Sequence, residues 1–135
     1  MTNITSTSRV FALVEQDFPE NPAFIRACAH VISFIESKPL PELRHLTFGF
    51  LSLLIENHEL VSSVIAYLAG DRARLLDMRF EFIDEDEIYN ISPEEINEAR
   101  MGGGFIHPTT GKSVENFEHY IYIYFVPFGA EMDSQ

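Results

Sequence analysis

Residues 102–113 read GGGFIHPTTGKS. Gly-Lys-Ser behind a glycine cluster is the chemistry of a phosphate cradle. The P-loop pattern G-x-x-x-x-G-K-[ST] needs its first glycine five positions before the second. Counting back from Gly111-Lys112-Ser113 reaches Ile106, and the nearest glycine, Gly104, leaves six residues between instead of four. The segment after Lys112 is rich in aromatic and β-branched residues and reads as strand. The helix N-terminus that holds a phosphate is therefore missing. A turn accounts for the same letters. Pro108 presets the first turn position and Gly111 tolerates a left-handed backbone. Phe105-Ile106-His107 and Lys112-Ser113-Val114 become the two arms of a hairpin, and the three glycines end the helix before it.

Other chemistry-bearing residues fall short of known templates. Asp84-Glu85-Asp86 with Glu95 places acids at positions 1, 3 and 12 of a calcium loop, but position 5 is Ile88 and position 6, which should be glycine, is Tyr89. His58-Glu59 begins a zinc-protease motif whose second histidine is replaced by Ser62. Cys28 and His30 are two residues apart and point in different directions on a helix. Cys28 lies on an apolar stripe, the place of a buried structural thiol. His107 precedes a proline in a turn, and His119 falls on the expected inner face of the last strand. Either could serve as a general base beside a carboxylate, and a satisfied structural histidine is the commoner outcome. No metal or cofactor is expected.

Two surfaces remain. Between Asp77 and Glu98 stand nine acids (Asp77, Glu81, Asp84, Glu85, Asp86, Glu87, Glu94, Glu95, Glu98) and one base, Arg79. Such a band could occupy a basic groove, or simply be solvated. Glu94 and Glu95 also suit the start of a helix. The second surface is EHYIYIYF. Read as one strand over 117–126, it puts Phe117, His119, Ile121, Ile123 and Phe125 on one face. Glu118, Tyr120, Tyr122, Tyr124 and Val126 occupy the other. Three tyrosines in a column could be a recognition surface, a covered central strand, or the seam of a homodimer if the strand is an edge.

The elements that must position these residues change period along the chain. Ser8 is expected to cap a first helix carrying Val10, Phe11, Val14 and Phe18, ended by Pro19. Asn21-Pro22 reads as an N-cap with proline at the first helical position. Phe24, Cys28, Val31, Ile32 and Ile35 follow at helical spacing. A third helix is expected from Glu42 to Ile55, apolar nearly all round. A fourth carries Leu60, Val61, Val64, Ile65 and Leu68, with Gly70 at its C′ position. Asp77–Phe82 then alternates as a half-buried strand. Asp84–Glu87 reads as an acidic turn, and Ser92 with Glu95 forms a capping box for a helix over Pro93–Met101.

The fold class is therefore α+β: about four N-terminal helices (8–70) on a small C-terminal antiparallel sheet with one short helix (75–128), in one domain over 1–135. A chain of 135 residues, 46% hydrophobic with twelve Phe, has ample core material. The single cysteine forms no internal disulfide. No signal peptide or membrane span is evident, so a cytoplasmic location is expected.

The formal charge of −12 repels nucleic acid. Residues 1–70 hold seven acids and four bases, and residues 71–135 hold fourteen acids and five bases. The presumed second helix of a helix-turn-helix, Glu59–Ala69, has no Lys or Arg, which excludes reading DNA with it. A winged-helix shape used for protein contacts stays open. The leading expectation is a non-catalytic acidic module. It would hold a basic protein partner through 77–98 and the tyrosines. The alternatives are a small enzyme or ligand-binding domain with a pocket at His107 and His119, and a homodimer joined through 117–126.

Overall fold

The computed structural model describes residues 2–85 and 87–128, with side chains from Thr7 onward. It has the expected α+β order: helices mostly first, then a four-stranded antiparallel sheet. Contacts divide the described chain into two compact units. One holds the residues up to Asp77 together with those from Phe125 to Phe128, and the other is Met78–Tyr124.

The first unit is helical. Helix α1 spans Thr2–Asp17 and α2 spans Pro22–Ser37. Asn21 caps α2, its side chain accepting from Phe24 N at 3.1 Å. The expected stripe of Phe24, Cys28, Val31, Ile32 and Ile35 is buried, joined by Ala27. Helix α1 starts well before Ser8, which is an exposed interior residue and not its cap. Val10 and Val14, one turn apart, are fully buried, and tertiary packing of such a pair carries a helix through residues of modest propensity.

The expected third helix over 42–55 is broken into a 3-10 turn (Leu40–Leu43), a two-residue strand β1 (Leu46–Thr47) and a short helix α3 (Phe48–Ser52). The physical reason is local. Thr47 is extended, and its hydroxyl accepts from Phe50 N at 3.0 Å, so the helix restarts there. Of the residues that make this segment apolar nearly all round, Phe48, Phe50 and Leu53 are exposed, while Leu43, Leu46, Leu51 and Ile55 are buried. Helix α4 covers Val61–Ala69 after a 3-10 turn at His58–Leu60. Gly70 ends it, but not as a left-handed cap. Its φ is −81°, and a Cβ there would lie 3.1 Å from the Ala66 carbonyl oxygen. Space, not handedness, selects this glycine.

The second unit is built on a hairpin. Strand β2 (Leu76–Asp84) pairs antiparallel with β3 (Glu87–Ile91), from Phe80 opposite Ile91 to Asp84 opposite Glu87. Of the turn expected over Asp84–Glu87, Glu85 is a turn residue, at φ 54°, while Asp84 and Glu87 belong to strands. Strand β3 has no counterpart among the expected elements. Helix α5 (Pro93–Glu98) carries the expected capping box of Ser92 and Glu95. A wider turn over Ala99–Gly103 follows, with Gly102 at φ 101°. The 105–114 hairpin forms as expected: Ile106 bridges Ser113, His107 N donates to Lys112 O, and Gly111 closes the turn at φ 74°. Phe80, Phe82, Ile91, Ile96, Ala99 and Phe105 make this unit's buried core.

The last segment differs from the single strand expected over 117–126. Phe117–Tyr120 is a 3-10 turn, and strand β4 runs only from Ile121 to Pro127. Left-handed Asn116 (φ 55°) and the turn after it shift the alternation. In the sheet order β1-β4-β2-β3, β4 stands between β2 and the two-residue β1. In the chain, strand β3 and helix α5 fall between β2 and β4.

Candidate functional site

The second unit brings chemistry-bearing residues together at the closed end of the β2–β3 hairpin. Asp84 and Glu87 are cross-strand partners on one face. His107 is buried, and its Nε2 stands 3.0 Å from Asp84 Oδ2. Its Nδ1 accepts the backbone N–H groups of Thr109 (3.0 Å) and Thr110 (3.2 Å). A nitrogen that accepts cannot carry the proton, so the proton sits on Nε2 and is donated to Asp84. Both ring nitrogens are thus engaged. Glu87 is held the same way. It accepts from the Tyr89 hydroxyl, which in turn accepts from Thr109 Oγ1 at 2.6 Å. That bond to Glu87 raises the Tyr89 pKa. Rings pack around the hub: Phe82 meets His107 edge-on at 5.3 Å and Tyr120 at 5.6 Å.

Beside the hub opens a cleft of about 300 Å³. Phe82, Val114 and Tyr120 form its apolar wall. Asp84, Thr110, Lys112, Ser113 and Glu115 supply its polar groups. Neither the Lys112 ammonium nor the Glu115 carboxylate has a partner among the described residues. Of the two histidines expected at one pocket, His107 lines this cleft and His119 does not. His119 is exposed in the 3-10 turn, not on an inner strand face.

The acids do not form one continuous band. Asp84, Glu85 and Glu87 cluster at the hairpin end, while Glu94, Glu95 and Glu98 lie on α5 beyond the far end of β3. Four strand residues, 88–91, separate the groups, about 14 Å. Several carboxylates have local tasks: Asp84 holds His107, Glu87 holds Tyr89, and Glu95 caps α5. Glu85, Glu94 and Glu98 are exposed and make no hydrogen bond or ion pair among the described residues. Asp86 lies outside the described residues. Glu118 is held by Arg100 through two bonds of 2.7 and 3.0 Å, which lower its pKa.

The tyrosine column is divided too. Tyr120 is in the 3-10 turn at the cleft. Tyr124 is buried, its hydroxyl donating to Asn90 Oδ1 at 3.1 Å. Tyr122 is 52% exposed. The bond to Asn90 fixes the sheet face. Asn90 is opposite Glu81, so Tyr124, Glu81 and Asn90 share the face turned away from Phe80 and Phe82. Two residues before Tyr124, Tyr122 lies on this same face, as do Ile83 and its cross-strand partner Ile88. Ile88 is 61% exposed. This face was missed because β3 was not foreseen.

In the first unit, Cys28 is fully buried and His30 is exposed, as their spacing implied. Burial pushes the Cys28 pKa up to about 12. Among the described residues no three His, Cys, Asp or Glu side chains gather as a metal site, and no helix is long and apolar enough to cross a membrane. No protein-family model matches the chain, and no curated protein or solved structure is significantly similar to it.

Proposed function

We propose that the chain is a non-catalytic binding module. It docks a basic protein partner on the outer sheet face of the second unit, next to the acidic hairpin end. The observation that carries this reading is the exposed pair Tyr122 and Ile88 on one sheet face. It keeps two large apolar side chains in solvent, and the hairpin beside it ends in Glu85. Aromatic and aliphatic anchors bounded by charge are the usual anatomy of a protein contact.

Charge chooses the partner. The 71–135 half carries fourteen acids against five bases, and one of those bases, Arg100, is paired with Glu118. Long-range attraction then favours a cationic protein and disfavours nucleic acid. The helical half supports the same choice: Glu59–Ala69, the second helix of the helix-turn-helix considered from the sequence, has no Lys or Arg. The partner expected is a basic protein held without catalysis, consistent with a cytoplasmic inhibitor or adaptor.

The test is affinity capture of partners from lysate at low salt, then binding kinetics with the recovered protein. Tyr122→Ala and Ile88→Ala should each weaken binding tenfold or more. Glu85→Lys should slow association, and raising salt should slow it further. Association indifferent to both salt and Glu85→Lys would overturn the reading.

A further inference from the structure

The cleft beside His107 opens on the hairpin face opposite Ile88, so it is distinct from the proposed docking face. The geometry points to a binding site there for a small zwitterion, a free α-amino acid with an apolar side chain. The polar groups come in both signs. Asp84 has one carboxylate oxygen committed to His107 Nε2, and its other oxygen has no partner among the described residues. Glu115 adds a second free carboxylate, and Lys112 a free ammonium. The His107 tautomer contributes no charge. The cleft is therefore −1 in sum, which disfavours phosphates and simple anions, while a lone cation would leave Lys112 repelled.

A zwitterion answers all three groups. Its ammonium takes Asp84 and Glu115. Its carboxylate takes Lys112 and the Thr110 and Ser113 hydroxyls. Its side chain lies along Phe82, Val114 and Tyr120. A volume of about 300 Å³ is at the small end of ligand sites and suits a molecule of amino-acid size. The site is also preorganised. The 107–111 turn is closed by Gly111 N donating to His107 O at 3.0 Å, and His107 fixes Asp84 in place.

The experiment uses the full ¹⁵N-labelled chain, titrated with L-leucine and monitored by amide chemical shifts. Saturable shifts confined to residues 82–84 and 107–120 are expected, with Kd near about 1 mM. N-acetyl-L-leucine lacks the ammonium and L-leucinamide lacks the carboxylate, and each should bind at least about tenfold more weakly. Asp84→Asn keeps the acceptor for His107 but removes the charge, and Lys112→Gln removes the surface cation. Both should preserve the spectrum of the free protein and lose leucine binding about tenfold. No saturable shift up to about 20 mM, or equal binding of leucine and its two blocked forms, would overturn the site. So would binding of methyl glucoside in its place. The docking reading is judged separately, because Ile88→Ala and Tyr122→Ala leave the cleft untouched.

Discussion

His107 bonds Asp84 through one ring nitrogen and the backbone of Thr109 and Thr110 through the other, so one buried imidazole ties the β2–β3 hairpin to the 105–114 turn. Removing it strands two N–H groups and empties the space against Phe82. His107→Ala should therefore destabilise the protein by about 1–3 kcal/mol. Asp84→Asn, which still accepts from Nε2, should cost within about 1 kcal/mol. Urea denaturation monitored by circular dichroism measures both. Hydrogen exchange should accelerate at Thr109 and Thr110 in the alanine variant alone.

A second polar cluster makes the fold sensitive to pH. The Asp17 carboxylate accepts from Arg72 Nη2 at 2.8 Å and from the Tyr67 hydroxyl at 2.6 Å. Chiefly because of the Arg72 hydrogen bond, with help from Tyr67, the Asp17 pKa falls from 3.8 to about 2. A depressed carboxylate stabilises the folded state above its unfolded value, so this contribution fades as pH drops from about 4 toward 2. Burial and the bond to Asp17 raise Tyr67 from 10.0 to about 12. That contribution is complete below pH 10 and is lost as pH rises through 12. Thermal midpoints of the parent chain should show both declines. Arg72→Met should flatten the acid one, and Tyr67→Phe the alkaline one.

How much of this was legible depended on the range of the interaction. The α2 stripe, the α5 capping box and the 105–114 turn arise from residues within four positions of one another, and local chemistry specifies them. The broken third helix was hidden because buried residues (Leu43, Leu46, Leu51, Ile55) and exposed ones (Phe48, Phe50, Leu53) are equally apolar, so hydrophobicity no longer reports burial there. Strand β3 was hidden by its short length behind an acidic run. With β3 missing, no pattern could pair Ile83 with Ile88 or bring Asn90 to Tyr124. The link from Asp84 to His107 spans 23 positions, and only the folded turn creates it. The tyrosines looked like one column because alternation was carried through 117–120, where the backbone is a 3-10 turn.

Cys28 offers a simple probe of the first unit. It is fully buried on α2, and burial raises its pKa to about 12. Thiolate is the reactive form, so a disulfide reagent at pH 8 should leave the folded protein unlabelled over hours and label it at once in denaturant. Val31→Ala, three residues along the same stripe and also fully buried, should destabilise the unit. Labelling under native conditions would then accelerate in proportion to the population opened. Rapid labelling of the unaltered chain would contradict the packing of α2.

Two glycines should respond oppositely to the same pair of substitutions, because different physics selects them. Gly111 has φ 74°, and nothing stands within 4 Å of a Cβ built there. Its cost is conformational alone: Gly111→Ala should destabilise by about 1–2 kcal/mol. Gly111→Asn should cost less, since asparagine visits the left-handed region more readily. Gly70 has an ordinary φ of −81°, but a Cβ there would meet the carbonyl oxygens of Ala66 at 3.1 Å and Tyr67 at 3.5 Å. Alanine already brings that crowding, and asparagine adds bulk without relief. Asn should therefore rescue at position 111 and fail at position 70. Equal behaviour at both sites, read from urea midpoints of the four variants, would mean that one of the two backbone assignments is wrong.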